Sequence, residues 1–301
     1  MVYEKKKARA LALLSGGLDS ILAIRILQVQ GIKITGLTFV SYFFNSKAAE
    51  KAAKGLKIKL KITDFSDEHL GIVKRPCYGY GRAVNPCIDC HLLMLKKAGE
   101  IMAKDGYDFV ATGEVLGERP MSQNKSALQL IEKESGLKGY LLRPLSAKLL
   151  EPTVVEKSGL VDREKLLDIS GRSRKRQMEL AREWGIRDYP TPAGGCLLTD
   201  IQFGGRFKDM AGKWSDFGGN DARLLKFGRH FWEKDDLIVV GRNKEENEEI
   251  KKLSFKDDVL IEPKEFPGPT ILVRGKNKIS EKSLLKAKEL MFKYSPKARI
   301  K

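Results

Sequence analysis

The junction "LALLSGGLDS", residues 11–20, constrains the fold more than any other part of this chain. An apolar run with the pattern of a strand stops at Ser15, and a helical pattern begins at Ser20. Two glycines between them permit a sharp turn that brings successive backbone N–H groups toward one anion. The serines add hydroxyl groups, and the dipole of the following helix favours negative charge. The junction predicts a phosphate-binding loop, with an ordinary capped strand–helix turn as the alternative.

A carboxylate stands inside this loop, at Asp19. It would repel a bound phosphate unless a divalent cation lay between the two, so the sequence predicts Mg²⁺ together with the phosphate. The loop lacks the lysine and the spacing of the G-x-x-x-x-G-K-[ST] motif, and it also lacks the spacing of G-x-G-x-x-G. The sequence therefore predicts neither of those two nucleotide-binding loops.

Strand and helix patterns alternate through the N-terminal two thirds of the chain. Strands are predicted at 8–14, 32–40, 56–65 and 107–114, and helices at 20–31 and 91–106. This order predicts an α/β fold with a doubly wound parallel sheet, which binds ligands at the C-terminal ends of its strands. Apolar and lysine residues alternate strictly in the third strand, which places that strand near a sheet edge.

The charge of the chain points to a polyanionic partner. Lys and Arg number 56 against 39 Asp and Glu, which gives a formal net charge of +17. Nucleic acid is the first expectation and an anionic membrane surface the second, with a lysine-rich thermophilic surface as the alternative. The chain has no secretory signal and no apolar stretch near the roughly 18 residues of a membrane span, so we expect a cytoplasmic protein.

Four basic side chains open the helical pattern at 171–185: Arg172, Arg174, Lys175 and Arg176. Positive charge at a helix N-terminus opposes the helix dipole, and a phosphate backbone would compensate for it. The sequence therefore predicts that these residues bind RNA, with a solvated basic turn as the alternative.

The loop "SGGLDS" resembles the SGGxDS signature of the PP-loop ATP pyrophosphatases. Members of that family adenylate a carbonyl oxygen and release pyrophosphate. The resemblance implies that ATP and Mg²⁺ bind at the end of the first strand. The implied ATP-binding residues are Ser15, Gly16, Gly17, Asp19, Ser20, Phe39 and Gly113.

Further segments resemble tRNA thiouridine synthetases of that family. "NPCIDCH", 85–91, is similar to the Asn-Pro-x-x-x-Cys segment of MnmA-type 2-thiouridine synthetases, which implies that Cys90 attacks the activated uridine or passes sulfur to it. Cys87 departs from this pattern, because the family usually has aspartate there. "ATGEVLGERPMSQN", 111–124, and "LLRPLSAK", 141–148, resemble the 4-thiouridine synthetase ThiI.

A third cysteine lies in "PTPAGGCLLTD", where Cys196 is about as far from Cys90 as the second sulfur-handling cysteine of MnmA. The thiols of Cys87, Cys90 and Cys196 are expected to converge, and Asp19 completes the implied catalytic set. The arrangement resembles the TtuA-type tRNA thiolases, which implies that the three thiolates hold a [4Fe–4S] cluster. Two alternatives stay open. Cys196 carries a persulfide that Cys90, with a lowered thiol pKa, resolves as a disulfide, or zinc takes Cys77 as its fourth ligand.

The alternating pattern ends near Lys208, which predicts two domains, residues 1–209 and a smaller α+β domain at 210–301. Within the second, 239–253 and 267–275 resemble the RNA-binding module of NFACT proteins. The resemblance implies that this domain binds RNA, with a small structural or dimerisation domain as the alternative.

These observations predict an ATP-dependent tRNA sulfurtransferase that adenylates a uridine carbonyl oxygen and replaces it with sulfur. The likeness to ThiI favours 4-thiouridine over 2-thiouridine. The expected partners are tRNA and a sulfur donor, either inorganic sulfide or a persulfide-carrying protein, with no membrane; a homodimer stays open. The rival functions are a PP-loop amidating or ligating enzyme on a small molecule, and an RNA-binding protein without activity.

Overall fold

A computed structural model describes residues 7–190 and 196–295 of the chain. Internal contacts divide the chain into two compact units, Met1–Gly81 with Asn85–Cys196, and Arg82–Val84 with Leu197–Lys301. This division comes earlier in the chain than the predicted one at 209/210, which stays a prediction about functional domains. Among the described residues, no helix is long and apolar enough to cross a membrane.

The first unit contains five strands and seven α-helices among its described residues. In chain order they are β1 (Arg9–Leu13), α1 (Leu18–Gln28), β2 (Lys33–Val40), α2 (Lys47–Leu56), β3 (Lys59–Asp64), α3 (Ser66–Lys74), α4 (Cys87–Asp105), β4 (Phe109–Ala111), α5 (Lys125–Glu134), β5 (Leu141–Leu142), α6 (Val154–Lys157) and α7 (Lys175–Glu183).

All five strands run parallel in the order β3-β2-β1-β4-β5, which confirms the predicted doubly wound sheet and places β3 at an edge. Neighbouring residues of β1 belong to two different cores. Ala10 and Ala12 join the cluster that includes most of α1, whereas Leu11 joins the cluster that includes Leu95 of α4. Both faces of the sheet are therefore covered, as a parallel sheet requires.

The predicted starts of α1 and β3 were wrong. α1 begins at Leu18, before its predicted start, because Gly17 already takes the extended N-cap conformation. The third strand begins at Lys59 and not at 56, because Leu56 is the last residue of α2. Lys57 then ends that helix in the left-handed conformation, with φ 55°.

The second unit is a small α+β fold, as predicted. Its elements are α8 (Ile201–Lys213), α9 (Gly219–Leu224), β6 (Arg229–Glu233), β7 (Asp236–Val240), α10 (Lys244–Lys252), β8 (Val259–Ile261), β9 (Ile271–Arg274) and α11 (Glu281–Lys293). The strands form an antiparallel sheet in the order β6-β7-β9-β8. Ala287 and Leu290 of α11 join Ile238 and Val273 of the two central strands in one buried core.

A buried arginine joins three segments of the second unit. Arg274, at the end of β9, is 4% exposed and pairs with the carboxylates of Asp221 and Asp258, each at 2.7 Å. It also donates a hydrogen bond to the backbone carbonyl oxygen of Leu253 at 2.7 Å. Because removal of one partner leaves the other charges desolvated, breaking such a buried pair costs about 3–5 kcal/mol.

We expect Arg274→Met to lower the free energy of unfolding of the second unit by about 3–5 kcal/mol, because Asp221 and Asp258 lose their cation. Trp214 and Trp232 pack edge to face in the same unit, with ring centroids 5.1 Å apart. Their fluorescence during a urea titration measures the change.

Lys282→Met is the matched control, because it removes a solvent-exposed ion pair with Glu233 in the same unit. Exposed pairs contribute little to stability, so its unfolding midpoint should stay near that of the wild type. Equal midpoints for the two variants would contradict the structural role of Arg274.

Candidate active site

The predicted phosphate loop connects β1 to α1 at the C-terminal edge of the sheet. Gly16 has φ +83°, and a Cβ there would lie 2.4 Å from the carbonyl carbon of Ala48, so a side chain does not fit. Ser15 accepts a hydrogen bond from the Gly17 N–H at 3.3 Å. The Ser20 hydroxyl donates to the Gly17 carbonyl at 2.8 Å. Since Gly17 is the N-cap and has no side chain, the first turn of α1 presents its N–H groups to an anion.

The end of β4 packs directly on this turn. A Cβ on Gly113 would lie 2.5 Å from the Ser20 backbone nitrogen and 2.6 Å from the Asp19 carbonyl carbon. Only glycine allows so close an approach of two backbones. The structure thus brings Gly113 beside the loop and gives a reason for glycine there; its contact with ATP stays a prediction.

Asp19 lies in a polar cluster that α7 completes. Its Oδ2 lies 3.9 Å from Arg174 Nη2. Its Oδ1 and the Arg174 Nε are buried with no hydrogen-bond partner, and the buried Gln177 side chain lies near the Asp19 carboxylate. Burial raises the pKa of Asp19, while the charges of Arg174 and Arg119 oppose that rise. Buried polar groups normally have partners, so this cluster fits a polar ligand such as a phosphate with its Mg²⁺.

The basic run predicted to bind RNA is divided by the fold. Arg174 is the N-cap of α7 and faces Asp19, with 16% of its side chain exposed. Arg176 pairs on the surface with Glu179 and Glu183 of its own helix. Arg172 and Lys175 are exposed. RNA binding by the run stays a prediction, which the exposed members fit better than Arg174 does.

Phe39, predicted to contact ATP, is buried in a hydrophobic core. It lies on β2, is 4% exposed, and packs against Phe65 with ring centroids 5.0 Å apart. Phe65 in turn stacks on His69 at 4.9 Å. Because these contacts account for the burial of Phe39, its role toward ATP stays a prediction.

The two clustered cysteines lie in the first turn of α4, which begins at Cys87 and so before the predicted helix at 91–106. Asn85 donates a hydrogen bond to Cys87 Sγ at 3.1 Å. Cys90 Sγ lies 3.4 Å from His69 Nε2. Burial lowers the pKa of His69 to about 4, so this imidazole is neutral at neutral pH.

The Cys90 thiol has a pKa well above its usual range. Burial is the main cause, and the charges of Cys196, Cys87 and Asp89 add to it. The lowered Cys90 pKa expected for the persulfide alternative was therefore wrong. Cys87 and Cys196 do lie close enough to Cys90 to affect it electrostatically. In the part of the chain that the structure describes, however, no group of three or more His, Cys, Asp or Glu side chains is arranged to hold a metal ion.

Cys196 is exposed, as its position in a Pro- and Gly-rich segment predicts. Residues 191–195 of that segment lie outside the described residues. Cys77 is also exposed.

Sequence reasoning missed a buried carboxylate that connects the loop to the cysteine helix. Glu114, directly after Gly113, lies 2.7 Å from His91 Nδ1, next to Cys90 in α4. Its other oxygen accepts hydrogen bonds from Arg143 Nε at 2.9 Å and Thr112 Oγ1 at 3.0 Å. Burial alone raises the pKa of Glu114, but the Arg143 charge and the bonds from His91 and Arg143 outweigh it and hold the pKa at about 2. The sequence signal that could have identified Glu114 is a charged residue shortly after an apolar strand.

Comparison with known proteins agrees with both units. Residues 6–149 match the family model of the thiamine biosynthesis protein ThiI, and residues 228–300 match that of the NFACT protein RNA-binding domain. The tRNA-specific 2-thiouridylase MnmA of Syntrophomonas wolfei is 36% identical over 112 residues, which cover 34% of this chain and 31% of that protein. The MnmA of Geotalea uraniireducens is 24% identical over 190 residues, 54% of this chain and 50% of that one. The first unit is thus similar to ThiI and to the MnmA proteins, and the second to the NFACT RNA-binding domain.

The chain spans about a third to a half of the length of these curated relatives. Among solved structures, a 4-thiouridine synthetase–RNA complex with bound ATP aligns with a TM-score of 0.38 at 24% identity, over 57% of this chain and 50% of that one. A predicted subunit of tRNA methyltransferase from Methanocaldococcus jannaschii aligns with a TM-score of 0.39 at 19% identity, over 58% and 76% of the two chains.

We expect Gly113→Ala to weaken the binding of Mg·ATP and to destabilise the first unit by about 1–3 kcal/mol, because the added methyl group displaces the first turn of α1. Calorimetric titration with Mg·ATP and thermal unfolding measure the two effects. Gly71→Ala is the control, since a Cβ there meets no atom within 4 Å. An unchanged affinity and unfolding midpoint in Gly113→Ala would refute the close packing.

The low pKa of Glu114 predicts an acid-dependent loss of stability. A carboxylate whose folded pKa is depressed stabilises the fold above its unfolded pKa, near 4.5, and this stabilisation disappears as the pH falls toward about 2. The difference corresponds to about 3 kcal/mol. Urea titrations from pH 6 to pH 2 should therefore show a steeper loss in the wild type than in Glu114→Gln. Parallel curves for the two proteins would show that the Glu114 pKa is not depressed.

Proposed function

We propose that this chain is an ATP-dependent tRNA sulfurtransferase, which adenylates a uridine carbonyl oxygen and replaces that oxygen with sulfur. The observation that carries the proposal is the junction at residues 112–114. Gly113 lies on the first turn of the phosphate loop, and Glu114 is bonded to His91, next to Cys90. An ATP site and a thiol site that share one short segment suit a reaction that activates an atom and then attacks the same carbon.

Residues of the loop and of α7 together bind the phosphates of ATP and their Mg²⁺. The N–H groups of the first turn of α1, with Ser15 and Ser20, bind the phosphates. Asp19 holds Mg²⁺, which when bound neutralises charge on the pyrophosphate leaving group. Arg174 faces Asp19 and supplies a second positive charge to the phosphates, and this assignment replaces the RNA contact predicted for it.

For the sulfur step we propose that Cys87, Cys90 and Cys196 hold a [4Fe–4S] cluster, which when bound would present sulfide to the activated base. Support comes from the pair at the start of α4 and from the electrostatic coupling of Cys90 to both other thiols. The His69 imidazole beside Cys90 adds no positive charge at neutral pH, because burial lowers its pKa to about 4. Persulfide transfer from Cys196 with Cys90 as the resolving thiol is the competing route, and it needs no bound metal.

The nucleic-acid partner is proposed to be tRNA. The NFACT match over 228–300, the name of the MnmA relatives and the net charge of +17 support it. Exposed Arg172 and Lys175 are proposed to contact the RNA backbone. The ThiI match over 6–149 favours 4-thiouridine over 2-thiouridine as the product.

Anaerobically purified protein, unmodified tRNA, Mg·ATP and sodium sulfide should yield 4-thiouridine and AMP in equal amounts, measured by nucleoside mass spectrometry and nucleotide chromatography. Cys90→Ser and Cys196→Ser should abolish thiouridine, because each removes a group from the sulfur site. Cys77→Ser is the matched control and should retain activity. Release of ADP in place of AMP, or no thiouridine with sulfide or with a persulfide-carrying donor protein, would disprove the function.

Iron, acid-labile sulfide and zinc content per chain separates the two sulfur routes. About four irons and four sulfides, lost in Cys87→Ala, are expected for the cluster. A metal-free protein that thiolates tRNA only with a persulfide donor, and that forms a Cys90–Cys196 disulfide, would rule the cluster out while leaving the thiolation itself intact.

A further inference from the structure

A short aromatic and basic segment, residues 75–81, is fastened to the start of the cysteine helix. Asp89, the buried residue between Cys87 and Cys90, accepts a hydrogen bond from the Cys77 backbone N–H at 2.8 Å on one oxygen. Its other oxygen accepts from the Tyr78 backbone N–H at 3.1 Å. Because one carboxylate holds two consecutive backbone groups, the segment keeps a fixed position beside the two thiols.

A second set of contacts fixes the rest of the segment. The Tyr80 hydroxyl donates to the Val73 carbonyl oxygen at 2.6 Å, and burial raises the pKa of this phenol. Gly79 turns the chain with φ +75°. The Gly81 N–H donates to the Asn85 carbonyl oxygen at 3.0 Å. Tyr80 therefore anchors the segment to the fold.

Tyr78 differs from Tyr80 in this respect. Asp89 holds the backbone of Tyr78, and 38% of the residue is exposed to solvent, close to the 39% of Tyr80. The two residues differ in how they are held and not in exposure, because the Tyr80 hydroxyl is bonded to Val73. An aromatic ring on a fixed backbone loses little conformational freedom on binding. Nucleobases stack on such rings without regard to sequence, and each stack contributes about 1–3 kcal/mol.

We propose that Tyr78 is the stacking platform for an unpaired pyrimidine base of the RNA, which it holds beside the cysteine site. The inference rests on the proposed function and adds the residue that positions its substrate base. Chemistry at a base carbonyl needs the base outside a helical stack, and a displaced base needs a new partner for its ring. Exposed Arg75, three residues earlier in the same segment, supplies a cation for the neighbouring phosphate.

The test compares Tyr78→Ala with Tyr78→Phe and Tyr78→Trp, with Tyr140→Ala as the matched control. Tyr140 is 44% exposed and precedes β5, so it lies at the N-terminal edge of the parallel sheet, opposite the site. Tyr78→Ala should raise the KM for tRNA about 5- to 150-fold, as expected for the loss of one stack. Phe and Trp should restore the wild-type KM, and Mg·ATP affinity should stay constant in every variant.

A binding measurement separates this inference from the proposed function. Transfer RNA carrying 5-iodouridine at the modified position should crosslink under ultraviolet light to Tyr78, and the crosslinked peptide is identified by mass spectrometry. A crosslink at Tyr78 in a chain that forms no thiouridine would support the platform and reject the sulfurtransferase. Active protein with an unchanged KM in Tyr78→Ala, or with no rescue by Tyr78→Phe, would overturn the platform.

Discussion

The buried carboxylate of Glu114 fixes the geometry on which the candidate site depends. Only 6% of this side chain is exposed, and an unpaired carboxylate at such a position would cost several kcal/mol. Arg143 and His91 supply the compensating contacts from two different elements of the fold. The end of β4, the cysteine helix α4 and the segment after β5 are therefore held in one arrangement.

Gly113, the residue before Glu114, connects this arrangement to the predicted phosphate loop. Gly113 contacts the backbone of the first turn of α1 so closely that no side chain fits between them. Three consecutive residues, 112–114, thus connect the phosphate loop on one side with the cysteine helix on the other. Asp89 plays a similar structural role to Glu114. It is a buried carboxylate within α4, and it holds the backbone of the segment that carries Tyr78.

Much of this fold follows from local patterns in the sequence. The strand–glycine–helix junction around Gly16 and the alternation of apolar runs predict the parallel sheet, because both signals involve residues close in the chain. The predicted start of the third strand lay too far toward the N-terminus, and the reason is also local. Leu56 fits the alternation of that strand, but it also continues the buried helical face of Ala49, Ala52 and Ala53 in α2.

The site itself depends on contacts between residues that are distant in sequence. A local sequence pattern does not predict such contacts. Arg174 reads as one member of a basic run, yet the packing of α7 against α1 brings it to Asp19. In the sequence, Glu114 is only a polar residue after a strand. Its role becomes visible in the fold, where Arg143 and His91 contact it. Phe39 shows that a residue on a strand next to the loop can pack in the hydrophobic core.

In the proposed reaction, ATP activates the carbonyl oxygen that sulfur later replaces. It is tested most directly with tRNA whose target uridine carries ¹⁸O at C4, incubated with the protein, Mg·ATP and sulfide. Mass spectrometry of the nucleotide product should find one ¹⁸O atom in AMP for each thiouridine formed, because the adenylated oxygen leaves with the phosphate. Thiouridine formation with unlabelled AMP would contradict this reaction, since the oxygen would then have left by another route.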